Sequence, residues 1–248
     1  MNDTHNAPGP DRGNTGLKQL NSDIDPRSAV ILLVVPIVLT LWVYFGKMIN
    51  LEMIFPSLSL RWNADFYGTV YEYSAAFLLM FLIPFTIVRV GFRTGLGELG
   101  FRTGDVRYGL RFLAVAAPLF LLSAYLGSGD AAMQAEYPLA KSVTGHAPLF
   151  FVVELFYLIY YFSWEFLFRG LMLFGLEKRF GAAAAILIQT IPSAIVHIGK
   201  PASESFAAIF AGLLFGFLAI RTRSFLYPLI LHAVIGIGTD LFVSVRLG

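Results

Sequence analysis

Several ionisable residues occur in apolar stretches of this chain, and four of them can support chemistry that their neighbours cannot. In the segment YFSWEFLFRG, Glu165 and Arg169 lie four residues apart among apolar and aromatic side chains, and His197 and His232 lie in two later apolar stretches. A carboxylate and two imidazoles can activate water for attack on a carbonyl group and stabilise the oxyanion that develops. These four residues therefore form the core of a candidate site.

The composition indicates that the solvent around these charges is lipid. Of the 248 residues, 57% are hydrophobic and only 14% are charged, and the mean hydropathy is +0.70. A soluble domain of this length needs far more polar surface. The net charge of +2 gives no reason to expect a nucleic-acid partner. The chain has no cysteine, which excludes disulfides, thiolate metal ligands and a cysteine nucleophile.

Seven apolar segments approach the ~20 residues that a helix needs to cross a bilayer. Because a backbone in lipid must satisfy its own hydrogen bonds, these lengths favour helices over the strands of a barrel. The sequence therefore predicts an all-α polytopic membrane protein with about seven transmembrane helices in one bundle. The predicted spans are Ala29–Phe45, Phe66–Val90, Leu110–Leu126, Leu149–Leu176, Ala182–Ile198, Phe206–Ile220 and Phe225–Val245.

The polar segments predict how the chain is organised around these spans. Residues 1–27 are rich in Gly, Pro, Asn and Asp and are expected to form a disordered tail, and residues 28–248 to form the bundle. Of the 18 Lys and Arg residues, twelve fall on one side of the predicted membrane and five on the other, with Arg169 inside a span. This asymmetry predicts a cytoplasmic N-terminus and an external C-terminus.

The fourth predicted span carries a polar face. Glu154, Tyr157, Tyr161, Glu165 and Arg169 are spaced at i, i+3, i+7, i+11 and i+15. At about 100° per residue they remain on one side of a helix. Ionisable groups inside a membrane cost about 2.5–3.5 kcal/mol each on insertion scales, so they indicate function by default. This face is therefore predicted to point into the bundle.

Two further predicted spans contribute polar residues at a similar depth. In the fifth span His197 follows Gln189 and Ser193 at intervals of four, and in the seventh His232 and Asp240 are two turns apart with a glycine midway. With a rise of about 1.5 Å per residue, the site carboxylate and the two histidines fall within ~12 Å of one another in depth. That spread is small enough for one polar cavity.

The residues alone leave other chemistry open. Glu165, His197 and His232 could bind zinc, but an HExxH motif is absent and no two ligands are closely spaced, so a metal is not favoured and no cofactor is expected. The pocket could equally relay protons or bind a cation. Glu165 and Arg169 also have the spacing of an ordinary structural ion pair.

The motifs resemble those of the CAAX-protease and bacteriocin-processing family of intramembrane endopeptidases. The family motif Glu-Glu-x-x-x-Arg corresponds to WEFLFR at 164–169, and its aromatic residue followed four later by His corresponds to SAIVH at 193–197. The third motif, His-x-x-x-Asn or Asp, corresponds to HAVIG at 232–236. The agreement covers about residues 150–240, the expected protease core, and the loop LGELGFRTGD is also similar to one common in that family.

This resemblance implies an integral membrane protease, expected in a bacterial inner (plasma) membrane, that hydrolyses a peptide bond in the tail of a membrane-anchored protein. Its partners would be that protein or peptide and the lipid bilayer. His197 would help to activate water and His232 would stabilise the oxyanion. Arg169 would pair with a carboxylate, and no metal would take part.

Two positions depart from the family pattern. Trp164 stands where the first glutamate is expected, and Gly236 stands where the Asn or Asp is expected. Glu165 is one candidate for the missing carboxylate. The other is Glu204, which is predicted to open the sixth helix, where the helix dipole favours an acidic residue. Asp240, one turn beyond Gly236, is the candidate for the missing amide, and Glu154 is a supporting residue.

The same departures leave two other functions open. A catalytically inactive relative could keep the pocket to bind a membrane partner or tail, and Glu165→Gln would then reduce stability without blocking a processing event. A small proton-linked transporter is a weaker alternative, because the sequence shows no inverted repeat and no paired broken helices. Loss of a proton-dependent flux in Asp240→Asn would favour that transporter.

Overall fold

The structure, a computed structural model, describes residues 24–247 and is all-helical. Of residues 24–247, 83% are helical and none lies in a β-strand, which confirms the predicted fold class. The first helix begins at Pro26, and Asp25 caps it by accepting a 3.0 Å hydrogen bond from the backbone N–H of Ser28. Residues 1–23 of the predicted tail lie outside the described residues.

Seven main helices correspond to the seven predicted spans. Within residues 24–247, six of them are long and apolar enough to cross a membrane, and α5, with 14 residues, is shorter. Short helices at Leu51–Ile54, Pro56–Ser59 and Ala131–Glu136 lie in the connections. The main helices are α1 (Pro26–Gly46), α2 (Ala64–Gly91), α3 (Val106–Gly127), α4 (Ala147–Phe180), α5 (Ala182–Ile195), α6 (Ala202–Thr222) and α7 (Leu226–Leu247).

Large apolar side chains cover the outside of the bundle. Leu33, Leu119, Phe210 and Leu241 are all at least half exposed, although each lies in a helix of membrane-spanning length. Water would penalise so much exposed apolar surface, whereas lipid does not. Together with the six long apolar helices, this surface identifies an integral membrane protein.

Helix α5 ends earlier than predicted, which changes the setting of His197. The predicted span extends to Ile198, but the helix ends at Ile195 and His197 lies in the connection to α6. Gly199 has a φ of +102°, a conformation that other residues rarely adopt, and it turns the chain back. Pro201 then precedes α6 and lacks the N–H that a continued helix would need.

Gln189 joins α5 to α6 instead of reaching the candidate site. Its Nε2 donates to the carbonyl oxygen of Gly212 on α6 at 2.8 Å and to the hydroxyl of Thr190 at 2.9 Å. Gly212 allows this close approach, because a Cβ there would lie 2.7 Å from the Thr190 side chain. The polar stripe predicted for the fifth span is therefore divided between helix packing and the site.

Helix α4 is the central element. Its middle segment, Phe166–Leu173, is wound as a π-helix, and all eight of its residues are buried. π-Helical segments are rare and often occur at functional sites. This one begins directly after Glu165 and contains Arg169.

Helix α7 runs antiparallel to α4 and packs against α4 and α3. Only residues 223–225 separate α6 from α7. Arg223 takes a left-handed conformation in that turn, with φ +59°. Because α4 and α7 are antiparallel, residue numbers increase along α4 as they decrease along α7. Position 165 therefore contacts position 232, and position 161 contacts position 236.

Candidate active site

The innermost part of the site is a three-residue cluster on α4 and α7. Oε1 of Glu165 accepts hydrogen bonds from Nδ1 of His232 at 2.6 Å and from Nη1 of Arg169 at 3.1 Å. Glu165 is 0% and Arg169 is 1% exposed. Because Arg169 keeps a counter-charge beside it, the carboxylate acts as acceptor and the imidazole hydrogen lies on Nδ1. When the ring is neutral, Nε2 of His232 is then a free acceptor.

His197 is held in the same tautomer by a different acceptor. Its Nδ1 lies 2.7 Å from the carbonyl oxygen of Ser193, which can only accept. Ser205 on α6 fixes the backbone at this point by donating to the His197 carbonyl at 2.7 Å. Neutral His197 therefore also presents an unprotonated Nε2.

Trp164 lies beside both histidines. Its ring centre is 5.3 Å from that of His197 and 6.2 Å from that of His232, and both contacts are edge-on. The side chain is 2% exposed and also packs against Trp42 and Phe168. The position expected to hold a glutamate is thus occupied by an aromatic side chain that packs against both histidines.

A cavity of about 920 Å³ opens onto these side chains. Glu165 and Arg169 do not line it and lie behind His232, so they shape the site without facing its contents. Of the predicted catalytic residues, the cavity brings together His197, His232 and Glu204.

Glu204 contributes to the cavity through a hydrogen-bonded chain at one end. It lies in the first turn of α6, as predicted, and its Oε1 accepts from the hydroxyl of Tyr137 at 2.8 Å. Lys200 donates to that hydroxyl at 3.0 Å and pairs with Glu136 at 2.8 Å. Burial and then the Glu204 charge raise the pKa of Tyr137 well above its ordinary value of 10, so Tyr137 remains a donor.

The structure separates Asp240 and Glu154 from the histidines. Asp240 is 1% exposed and does not line the main cavity, while Glu154 lines a second cavity of about 580 Å³. Eight residues of helix place Asp240 about 12 Å along α7 from His232. Asp240 is therefore not positioned to replace the missing amide beside that histidine.

Sequence reasoning missed Tyr137 and Lys200, and it assigned no role to Tyr161. Tyr137 and Lys200 lie in connections, where helical periodicity carries no information. Glu72 also lines the cavity and is neutralised by Lys47 at 2.9 Å. The only sequence signal for Tyr161 was its place on the polar face of α4.

The donor atoms in the described residues do not converge on a metal site. Within residues 24–247, no three His, Asp or Glu side chains are grouped closely enough to hold a metal ion. His197 and His232 each use Nδ1 in a hydrogen bond to a protein acceptor. That arrangement favours proton transfer at the two Nε2 atoms.

The structure thus places a buried Glu–Arg–His cluster behind a cavity of an all-helical membrane bundle. Residues 146–237 match the family described as type II CAAX prenyl endopeptidase Rce1-like. This match confirms the resemblance to the CAAX-protease and bacteriocin-processing family for the part of the chain that carries the site. No curated protein and no solved structure matches the chain.

The matched segment begins just before α4 and ends within α7. It includes the Glu165 cluster, both histidines and Glu204, whereas Asp240 lies beyond its end. The match supports a CAAX-type intramembrane protease as the kind of protein that this chain represents.

Proposed function

We propose that the protein is an intramembrane endopeptidase that hydrolyses a peptide bond in the tail of a membrane-tethered protein. The observation that carries this proposal is the 2.6 Å hydrogen bond between Glu165 and His232 at the wall of a cavity that His197 also lines. A buried carboxylate that fixes the tautomer of an imidazole is the arrangement by which a histidine becomes an effective general base.

Proton transfer is assigned to Nε2 of His232. As water adds to the scissile carbonyl carbon, one water proton moves to His232 and the carbonyl oxygen becomes an oxyanion. Glu165 stabilises the imidazolium that forms. When the tetrahedral intermediate collapses, the C=O bond reforms, the C–N bond breaks and His232 returns the proton to the leaving nitrogen.

His197 is assigned to orienting the water, through the Nε2 that its bond to Ser193 leaves free. The sequence-based hypothesis gave His232 to the oxyanion instead. The hydrogen bond to Glu165 argues against that role, because it places the hydrogen of a neutral ring on Nδ1. Arg169 holds the Glu165 carboxylate in place and is a positioning residue.

The walls of the cavity support a membrane-tethered substrate. Leu119 of α3 and Phe210 of α6 line the cavity and are also 61% and 72% exposed on the side of the bundle. The cavity therefore reaches the lipid-facing surface between these helices, which would admit a substrate from within the bilayer. With a cytoplasmic N-terminus, His197 and Glu204 would lie toward the external side, so we propose exported proteins as the source of the tails.

Terminal-peptide proteomics of membrane fractions tests the proposal. Wild type is compared with His197→Ala and His232→Ala at equal expression, and the matched control is His146→Ala, a histidine that packs on Trp62 outside the site. We expect one set of proteins to keep uncut tails in the two site variants and to lose them in wild type and the control. Identical termini in all four samples would contradict the proposal.

Trp164 gives the second candidate function its support. It fills the place of the expected carboxylate and is almost fully buried, so a relative that binds tails without cutting them would have this site. Photo-crosslinking at the cavity distinguishes the two functions. A binding protein would capture the same tails in wild type and His232→Ala, with no change in their termini.

A further inference from the structure

Tyr161 and Gly236 form a second contact between α4 and α7, one helical turn from the Glu165–His232 hydrogen bond. A Cβ built on Gly236 would lie 1.6 Å from the Tyr161 hydroxyl oxygen and 2.4 Å from the ring carbon that carries it. No side chain larger than glycine fits while Tyr161 stays in place. The hydroxyl of Tyr161 thus occupies the space that a side chain at position 236 would need.

This packing fixes the hydroxyl beside the proposed base. The ring centres of Tyr161 and His232 are 4.4 Å apart, and both residues line the main cavity. On its other face Tyr161 stacks against Tyr157, with ring centres 4.2 Å apart. With 3% of its surface exposed, Tyr161 has little freedom to turn away from the site.

The proposed reaction needs a hydrogen-bond donor at this place. The developing oxyanion must be stabilised by a preorganised donor, and in a water-poor site such a donor is worth far more than in water. Neither neutral histidine offers one, since each gives its hydrogen to a protein acceptor through Nδ1. Lys47 and Lys200, which also line the cavity, are each paired with a glutamate.

We propose that Tyr161 is a catalytic residue whose hydroxyl donates a hydrogen bond to the carbonyl oxygen of the scissile bond as that oxygen becomes negative. The proton stays on the tyrosine throughout, and His232 alone exchanges a proton with water and the leaving nitrogen. This inference rests on the proposed peptidase function. It also explains why the chain has glycine at position 236, where a longer side chain would displace the donor.

Removal of the hydroxyl alone gives the direct test. Variants are induced in cells, and the rate at which the tails that persist in His232→Ala are cut is followed by terminal-peptide proteomics. For Tyr161→Phe we expect a 10²- to 10³-fold lower rate at unchanged protein level and thermal stability, the loss typical for one oxyanion donor. The control is Tyr125→Phe, a tyrosine of α3 that packs on Phe242 and does not line the cavity, and we expect its rate to stay within a few-fold of wild type.

A hydrogen-bond donor placed on α7 gives a second test, which does not require the Tyr161 ring to be kept. Tyr161→Ala removes both the hydroxyl and the obstacle to a side chain at 236, and adding Gly236→Asn places an amide N–H₂ near the vacated position. We expect the double variant to cut at least 10-fold faster than Tyr161→Ala alone. Gly236→Ala alone should slow cutting, because its methyl group collides with the hydroxyl of Tyr161.

The outcomes separate this inference from the function on which it rests. If tails persist in His232→Ala but Tyr161→Phe cuts them at the wild-type rate, the peptidase function stands and the role of Tyr161 is wrong. That role is equally wrong if Tyr125→Phe slows cutting as much as Tyr161→Phe does. If no tails persist in His232→Ala, the peptidase function fails and the role of Tyr161 fails with it.

Discussion

The arginine-rich end of the bundle, residues 92–105, 177–179 and 221–224, differs sharply from the cavity in how its charges are paired. There Glu98 contacts Lys178 at 3.0 Å, Asp105 contacts Arg221 at 2.8 Å, and Oε1 of Glu177 accepts from Arg223 at 2.7 Å. Around the cavity and α4, by contrast, Oε2 of Glu165 and Oε2 of Glu204 are buried without a hydrogen-bond partner.

The two regions also differ in how closely their backbones are connected by hydrogen bonds. At the arginine-rich end the N–H of Asp105 donates to the Thr222 carbonyl at 3.0 Å, and Nε of Arg102 donates to the Arg223 carbonyl at 2.8 Å. The hydroxyl of Tyr227 reaches the Thr103 carbonyl at 2.7 Å. These contacts tie two loops together, whereas side chains of α3, α4, α6 and α7 line a cavity of about 920 Å³.

From this difference we expect that the arginine-rich end holds the bundle together and that the cavity carries the proposed function. Unsatisfied buried polar groups reduce stability, and native proteins retain them mainly where they serve a purpose. Substitutions at the two regions should therefore separate stability from processing, and four predictions test that separation, beginning with the largest expected effect.

The largest effect is expected where the cavity depends on one buried ion pair. Arg169→Met leaves the Glu165 carboxylate buried beside only a histidine, and breaking such a pair costs about 3–5 kcal/mol of unfolding free energy. Thermal unfolding in detergent measures the loss. The double variant Glu165→Gln/Arg169→Met removes both charges and should recover much of the stability, while processing stays lost because His232 has lost its carboxylate. Equal stability of the single and double variants would contradict the structural role of the pair.

At the arginine-rich end, Gly104→Ala should lower the free energy of unfolding by at least about 2 kcal/mol. A residue other than glycine in the left-handed conformation costs about 1–2 kcal/mol, and the steric clash of the added methyl group costs more. Gly104 has a φ of +57°, and its Cβ would lie 1.7 Å from the Thr222 carbonyl oxygen. The control is Gly97→Ala, where a Cβ would meet nothing within 4 Å.

This second prediction also concerns the rate of processing. Folded Gly104→Ala protein should cut tails at the wild-type rate per molecule, because Gly104 lies outside the cavity. A lower rate per folded molecule, measured at an unchanged folded fraction, would show that the arginine-rich end takes part in the function.

A smaller effect is expected from Asp240→Asn. The aspartate is buried and does not line the main cavity, so an amide of the same shape should change stability by less than about 1 kcal/mol. Cutting rates should remain within a few-fold of wild type in the same proteomic assay. Complete loss of processing would instead restore Asp240 to the site.

The smallest effect is expected from Glu98→Gln at the surface. The backbone N–H of Gly95, then Lys178 and Arg27, lower the pKa of Glu98 from its ordinary 4.5 to about 2. A lowered pKa contributes stability above pH 4.5 that is lost as the pH falls toward 2. Because the side chain is 43% exposed, solvent screening limits the contribution to about 0.2–1 kcal/mol.

Unfolding measured at pH 7 and pH 3 tests this last prediction. The stability difference between wild type and Glu98→Gln should shrink at the lower pH and in high salt, which screens exposed charges. A difference that grows on acidification would mean that Glu98 is stabilised by another interaction than these partners.

Much of the fold could be predicted from the sequence, because in a membrane protein the local pattern of apolar residues is enough to locate the helices. A helix satisfies all of its backbone hydrogen bonds within itself, so an apolar run of about 20 residues identifies a membrane-spanning helix without knowledge of its neighbours. The seven helices and the place of Glu204 at the start of α6 follow from such local signals. The short α5 was overestimated, because apolar residues continue past the point where Gly199 and Pro201 turn the chain.

The sequence by itself therefore determined a membrane bundle, a polar face on α4 and the family motifs around Glu165, His197 and His232. Only the tertiary structure decided what each group contacts: Glu165 binds His232 behind the cavity, Glu204 accepts from Tyr137, and the hydroxyl of Tyr161 fills the space at Gly236. The physical reason is that helical periodicity fixes the face of a residue on its own helix. Its partner depends on how neighbouring helices rotate and approach, and on the π-helical segment after Glu165, which shifts the phase of every later side chain on α4.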